Sequence, residues 1–369
     1  MANLFSLEVL DAKHGDALLL HYGTTADPQS ILIDGGPTGV WSRSLGKVLD
    51  RLRGERGDPL RLRRAILSHI DDDHIHGLLD LTDKMEKRQD DGRPPQFEID
   101  GIWFNTFDDL VGNTEVAAFR DPDAMLDIDD RTREAAAVIA SVGQGRALRD
   151  RAQRLGLQIN DGNPLLTAGI HLEPGNGLVI DVLGPSAQRI QEFQAAWDAE
   201  VKKNGWDQNV AAAEVAEFVD KSPWNLSSTI LLARFGTKTM LLTGDARGDD
   251  IIAGLRSQGI LTGQSVSFDI LKIPHHGSDR NVSTTFFRTV RARHYVISAN
   301  GEYGNPDIPT LQMILEARGN AKYTVHCTYR NGIKGHKQKL DQFLAGLTKT
   351  QRDRFAFREE SALSLRIDL

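Results

Sequence analysis

Short apolar runs punctuated by glycine and aspartate recur toward both ends of this chain. Near-continuous apolar runs of this kind mark strands buried on both faces, as in sheets covered by helices. Residues 4–10, 17–22 and 30–36 read as strands in the first part. A helix carrying Leu45, Val48, Leu49 and Leu52 at helical spacing precedes a further strand, Ala65-Ile66-Leu67, which ends at His69. Gly77-Leu78-Leu79-Asp80-Leu81 then reads as the start of a helix. Strand runs return at 228–234, 239–245, 270–274 and 295–298, and alternation at 362–367 predicts one more. The middle, about 82–217, is richer in charge. It predicts helices over 131–140, 145–155 and 190–201, with strand-like pieces at 99–105 and 178–183. No proline- or serine-rich linker isolates it, and no short fixed repeat occurs. The expectation is one domain over residues 1–369, with 82–217 an elaboration inserted between the two halves of one fold.

Composition adds a class and a compartment. Of 369 residues, 40% are hydrophobic and 26% charged, as in ordinary globular proteins. No apolar run is long enough to span a bilayer, so no membrane association is expected. The first residues lack a basic stretch followed by an apolar one, the mark of a signal peptide. The lone cysteine, Cys327, cannot form an internal disulfide, which fits a reducing cytoplasm. A net charge of −7 argues against a protein that coats itself in nucleic acid. It leaves room for a nuclease whose metals supply positive charge locally. The basic stretch Arg51, Arg53, Arg56, Arg61, Arg63 and Arg64 reads as a solvated helix and loop face.

The chemistry concentrates in Ser68-His69-Ile70-Asp71-Asp72-Asp73-His74-Ile75-His76-Gly77. Three imidazoles and three carboxylates on one strand-to-helix turn suit a borderline-soft divalent ion such as zinc. Without a cation these carboxylates would repel one another. A solvated acidic turn with incidental histidines is the competing reading. Leu241-Leu242-Thr243-Gly244-Asp245 places another carboxylate at a strand end, where a turn aspartate or helix N-cap is the plain alternative. Ile273-Pro274-His275-His276-Gly277-Ser278 puts a histidine pair at a strand end. A metal site needs only one of the two as ligand, the other lying behind it or against substrate.

In this order the pieces resemble the metallo-β-lactamase fold hydrolases, closest to the hydrolase domain of ComEC-type DNA-uptake proteins and its soluble relatives. The matching segments are Leu10-Asp11 with Gly15-Asp16, Leu32-Ile33-Asp34-Gly35-Gly36, His69 through His74, and Asn225-Leu226-Ser227-Ser228. They continue with Leu241 through Asp245, His275 through Ser278, and Tyr303-Gly304-Asn305-Pro306. The resemblance covers both halves and skips the middle. It implies a four-layer αββα sandwich of mixed α/β class. It implies that His69 and Asp71 bind one metal, that Asp73 and His74 bind a second, that Asp245 bridges them, and that His275 completes the second position. Asp73, Asp245 and His276 would be the catalytic members, and Asp34 a support for the ligand loop. His76 falls outside the motif. The chain departs from the superfamily at Asp71, where β-lactamases carry histidine. It departs again at Asn225, the counterpart of a further histidine ligand, and at Asn305, where many relatives have histidine. The first position is thus short of ligands, and His14 and His326 are candidates to fill it.

The resemblance implies hydrolysis with one or two Zn2+ ions, or Mn2+, that lower the pKa of bound water from 15.7 to about 7. A phosphodiester is the expected substrate, with nucleic acid among the candidates. Hydrolysis of a lactone, β-lactam or other ester or amide is the rival, favoured if Trp41, Trp103, Trp206 and Trp224 line an aromatic pocket. A binding or assembly module on the same fold is the reading from another class.

Overall fold

Strand residues that alternate between two apolar environments build this molecule. The structure, a computed structural model, describes residues 2–106, 109–110, 130–204 and 228–369. One sheet has seven strands in the order Ser364–Asp368, Asn3–Leu10, Ala17–Thr24, Asp27–Gly35, Arg64–Ile66, Gly101–Trp103 and Gln158–Ile159. A second has eight, in the order Phe355–Phe357, Thr324–Cys327, Val290–Ile297, Val266–Lys272, Lys238–Leu242, Ile230–Phe235, Leu178–Gly184 and His171–Gly175, and a small third pairs Leu60–Leu62 with Phe97–Ile99. Leu18, Leu20, Ile31 and Ile33 of the first sheet share one core with Leu231, Ala233, Met240 and Leu242 of the second. The residues between them point the other way. Leu19 and Leu32 pack with Val48, Leu49 and Leu52 of the helix Gly46–Arg56. Leu232 and Leu241 pack with Ile251 and Leu255 of the helix Gly248–Ser257. The period of two thus sends successive apolar side chains into different layers, and the result is an αββα sandwich.

The middle of the chain supplies strands to both sheets. Its strands Gly101–Trp103 and Gln158–Ile159 extend the first sheet, and His171–Gly175 with Leu178–Gly184 extend the second. The two helices expected over 131–140 and 145–155 are one, Asp130–Arg154, and the third spans Ala187–Asn204. The basic stretch is likewise more structural than a solvated face. Arg51 pairs with Glu8, Arg53 with Asp50, Arg61 and Arg63 with Asp100, and Arg64 with Asp161. Cys327 is buried, and burial pushes its thiol up to about 12, which leaves it unreactive. Among the described residues, no helix is long and apolar enough to cross a membrane.

Beneath the helix Gly46–Arg56 lies a buried polar chain that the strand pattern conceals. His21 Nε2 is 2.9 Å from Glu8 Oε2, His21 Nδ1 is 2.7 Å from Ser30 Oγ, and Arg56 donates to Ser30 Oγ at 2.6 Å. Burial alone would raise the Glu8 carboxyl, but hydrogen bonds from His21 and Ser364 and the charges of His21 and Arg51 bring it from 4.5 down to about 2. Burial pushes His21 below its ordinary 6.5 despite Glu8. Both shifts have the same sign in stability. The Glu8 contribution is complete above pH 4.5 and is lost as pH falls toward 2, and a buried neutral His21 opposes protonation once pH drops below 6.5. The melting temperature is therefore expected to fall as pH drops from 6.5. Glu8→Gln should melt lower at neutral pH and show a shallower fall between pH 4.5 and 2. A thermal melt series in which the variant keeps the parent's acid slope would remove Glu8 from this account.

Candidate metal centre

The candidate ligands stand at the carboxyl ends of strands from both sheets. The first sheet delivers Asp34 at the end of Asp27–Gly35 and His69 just past Arg64–Ile66. The second delivers Asp245 past Lys238–Leu242 and His275 and His276 past Val266–Lys272. The helix expected from Gly77 begins earlier, at Asp72, with Asp71 as its N-cap residue. Asp72 and Asp73 lie in its first turn, where the helix dipole favours anions, which explains why so polar a stretch is helical. Gly15 makes the closest backbone approach: a Cβ there would meet the Asp73 carbonyl oxygen at 1.9 Å. Only glycine lets the turn after the first strand touch that helix.

Asp245 organises the centre. Its Oδ1 lies 3.5 Å from His74 Nε2 and 3.6 Å from His276 Nε2. Its Oδ2 lies 3.9 Å from His69 Nε2 and 3.6 Å from His275 Nε2. Asp71 Oδ2 stands 3.2 Å from His69 Nε2, on the Oδ2 side. Asp73 stands on the other, with Oδ2 3.1 Å from His276 Nε2 and Oδ1 3.7 Å from His74 Nε2. The carboxylate thus divides the imidazoles into two sets, one per oxygen.

Behind each imidazole an oxygen occupies Nδ1. For His74 it is Asp34 Oδ2 at 2.9 Å, for His276 the Ser298 carbonyl at 3.0 Å, for His69 Ser68 Oγ at 3.0 Å, and for His275 Asn281 Oδ1 at 2.9 Å. This arrangement fixes the ring and turns the Nε2 lone pair inward, as metal-binding histidines require. Asp34 also accepts from the Ser68 amide at 2.7 Å, so it holds both the loop and the ring.

The charge balance shows what the centre lacks. Burial would lower the His74 imidazolium, but Asp73, Asp245 and Asp34 hold it well above its ordinary value. Burial likewise opposes the His276 imidazolium, yet Asp245, Asp16 and Asp73 raise it to about 10. Burial would raise Asp245, but the His276, His74 and His275 charges hold it well below the ordinary carboxylate range. The cluster therefore demands positive charge at its middle. His69 Nε2, His74 Nε2, His276 Nε2 and Asp245 Oδ1 are all buried without a hydrogen-bond partner. Groups so placed fit a cation that takes their lone pairs. Asp16, His74, Asp245 and His276 form one buried group whose ligand atoms lie within 4.8 Å of one another.

Several sequence expectations need revision here. The expected pairing of His275 with the second position is exchanged: His276 stands with Asp73 and His74, and His275 stands on the side of His69 and Asp71. The backbone explains this, since both residues have left-handed φ, 48° and 51°, which send consecutive rings to different sides of Asp245. His14 contacts Glu302 at 2.8 Å, and His326 lies 3.0 Å from His294 on the adjacent strand, so neither stands beside Asp245. His76 pairs with Asp72 at 2.6 Å. Asn305 reaches the His275 carbonyl at 3.4 Å. Trp103 is buried between the sheets and Trp41 packs beside Phe97, so neither lines the centre. Asn225, Trp206 and Trp224 lie outside the described residues.

Asp16 was visible in the sequence but carried no role. It is fully buried and pairs with the equally buried Lys272 at 2.6 Å, with its other oxygen 3.4 Å from His276 Nδ1. Although Asp16 falls within the 4.8 Å group, the ammonium already neutralises it. Its geometry is that of a support behind His276. The signal was a lysine at an inward position of an apolar strand.

Residues 25–89 match the sequence profile of the Metallo-beta-lactamase superfamily. The matched segment carries Asp34, His69, Asp71, Asp73 and His74, and the two-sheet sandwich agrees with a metallo-β-lactamase fold whose His/Asp cluster could hold a metal. No curated protein matches the chain. Among solved structures it is similar to the hydrolase AbOPH of the beta lactamase superfamily, at 13% identity and TM-score 0.29, over 62% of this chain and 56% of that one. It is similar to AidC, a dizinc quorum-quenching lactonase, at 12% identity and TM-score 0.28, again over 62% and 56%. A motif mutant of the metallo-β-lactamase from Cronobacter sakazakii shares 11% identity at TM-score 0.30, over 71% of this chain and 74% of that one. The chain spans about half the length of the first two, 56% of each.

Proposed function

We propose that this protein is a metal-dependent phosphodiesterase. The observation that carries the reading is the division of Asp245, whose two oxygens each face a separate pair of imidazoles. A single bridging carboxylate between two cation positions suits in-line displacement at phosphorus, where attacking and leaving oxygens both need charge neutralisation. In this reading His69, Asp71 and His275 would hold one ion, and Asp73, His74 and His276 would hold the other. A divalent ion such as Zn2+ or Mn2+ supplies Lewis acidity and acidifies water when bound. The chain's own residues fix the geometry. Asp34, Ser298, Ser68 and Asn281 orient the rings, and Asp245 is anchored through its amide to Ser228 Oγ at 3.1 Å and through its carbonyl to Asn281 at 3.1 Å. Hydrolysis adds water across the ester. A phosphorus–oxygen bond forms to the water oxygen, the bond to the leaving oxygen breaks, and one proton passes to that leaving group.

The test is elemental analysis of protein purified without chelator, with a hydrolysis panel of bis-p-nitrophenyl phosphate, single- and double-stranded DNA, RNA, a lactone and a chromogenic β-lactam. We expect at least one transition metal per chain and turnover of a phosphodiester. Metal-free protein after metal-replete expression would end the enzyme reading in favour of a binding module. Turnover of the lactone or β-lactam alone would move the assignment to carbon-centred hydrolysis.

A further inference from the structure

One rim of the metal centre carries an aromatic ring that the proposed chemistry does not use. Tyr303 is 75% exposed, one of two exposed large hydrophobic residues among those described. Its ring is nevertheless propped: the His14 ring meets it edge-on, at 4.9 Å between centroids and 89° between planes. His14 is held in turn by Glu302 at 2.8 Å, and the Glu302 amide donates to Asn300 Oδ1 at 2.9 Å. The loop is tied to the centre on two sides. The Asp307 amide bonds the Gly277 carbonyl at 3.0 Å, one residue past His276. Ser298 donates to the Gly15 carbonyl at 2.6 Å, beside Asp16. His14, against which the ring leans, leads through Gly15 to Asp16, whose amide bonds the Asp73 carbonyl at 3.2 Å, which places the ring beside the ligand-bearing helix turn.

The same rim holds a cation without a carboxylate. Among the described residues, the Lys13 ammonium has the Thr38 carbonyl at 3.2 Å as its hydrogen-bond partner and forms no ion pair. Lys13 directly precedes His14, against which the Tyr303 ring leans, so the two residues belong to one rim of the centre. A largely exposed ring and an ammonium on the same rim match a base joined to a phosphate, because any base stacks on an aromatic side chain and the phosphate takes the cation.

We propose that Tyr303 is the stacking platform for a nucleobase and Lys13 the phosphate contact, so that the substrates are nucleoside phosphodiesters rather than simple alkyl ones. This inference rests on the phosphodiesterase reading. A lactone's acyl chain would use Tyr303 only as an apolar surface, for which leucine serves as well.

The experiment uses the full chain loaded with metal and has two readouts. The first is the calorimetric Kd for thymidine 5′-monophosphate. The second is KM against kcat for a thymidine dinucleotide and for its abasic counterpart. Tyr303→Ala and Tyr303→Leu should both weaken monophosphate binding and raise the dinucleotide KM roughly tenfold, the scale of losing one stacked base. Neither should change the KM of the abasic compound, and Tyr303→Phe should match the parent. Lys13→Met should raise KM for both compounds. If Tyr303→Ala binds and turns over like the parent, or Tyr303→Leu restores the parent's values, the platform is refuted. If the parent cleaves neither dinucleotide yet binds the monophosphate through Tyr303, the phosphodiesterase reading fails and the platform stands. If the parent does not bind the monophosphate, the platform fails whatever the hydrolysis panel shows.

Discussion

Replacing Asp245 by asparagine is expected to lower phosphodiester turnover at least about a hundredfold, the scale of several kcal/mol of lost transition-state stabilisation. The substitution keeps shape and volume, and the backbone anchors through Ser228 and Asn281 do not involve the carboxylate. What it removes is the anion whose two oxygens face His74 and His276 on one side and His69 and His275 on the other. An amide offers one oxygen and a nitrogen that is no ligand, so one of the two positions is left incomplete. The loss should appear in kcat more than in KM, and elemental analysis should show less metal per chain. Ser278→Ala is the control, since the Ser278 backbone shapes the turn through its amide bond to the His275 carbonyl at 2.8 Å. That variant should retain most activity. A Asp245→Asn protein as fast as its parent would remove the bridging role, and with it the phosphodiesterase assignment.

Lys272→Met should be among the most destabilising single substitutions in the molecule. The ammonium lies 2.6 Å from Asp16, and both side chains are 1% exposed. Removing one partner of a buried pair strands the other charge, at a cost of about 3–5 kcal/mol. Burial alone would raise the Asp16 carboxyl, but the Lys272, His276 and His74 charges bring it to about 2, so it stays ionised and its charge must be met. The contribution is complete above the ordinary 3.8 and fades as pH falls toward 2. Urea unfolding at neutral pH should show the midpoint drop sharply in Lys272→Met and recover partly in the double variant with Asp16→Asn. A single variant that unfolds at the parent's urea concentration would show that the pair contributes little.

How far the sequence could be read depends on the range of the interaction. Strands such as Ala17–Thr24 and Lys238–Leu242 were legible because both faces are buried, leaving apolar runs with polar ends. The helix at Asp72–Asp90 was legible only from Gly77, because its first turn holds the acids and histidines that face the centre rather than a core. His69, Asp71, Asp73, His74 and Asp245 could be gathered by motif. The division of labour between His275 and His276 could not, because adjacent positions are separated only by the left-handed backbone at both. The Asp16–Lys272 pair and the Glu8–His21–Ser30 chain join residues on different strands. Nothing local marks such partners. The strands of the middle segment were recognised singly, but their membership of the two sheets is a matter of long-range pairing that composition does not encode.

The first strand, Asn3–Leu10, lies between Ala17–Thr24 and the last strand, Ser364–Asp368. Its second neighbour is therefore made only when ribosomal synthesis has nearly passed residue 368. Until then the backbone of residues 6–10 is an open edge, able to template pairing with another chain. The last strand also supplies Ser364, which donates to Glu8 at 2.5 Å, so the buried acid beneath the first helix waits for the same event. During translation, then, the amino-terminal sheet stays unfinished until residues 364–368 emerge, and the interval before they arrive is when the nascent protein most needs protection from its neighbours.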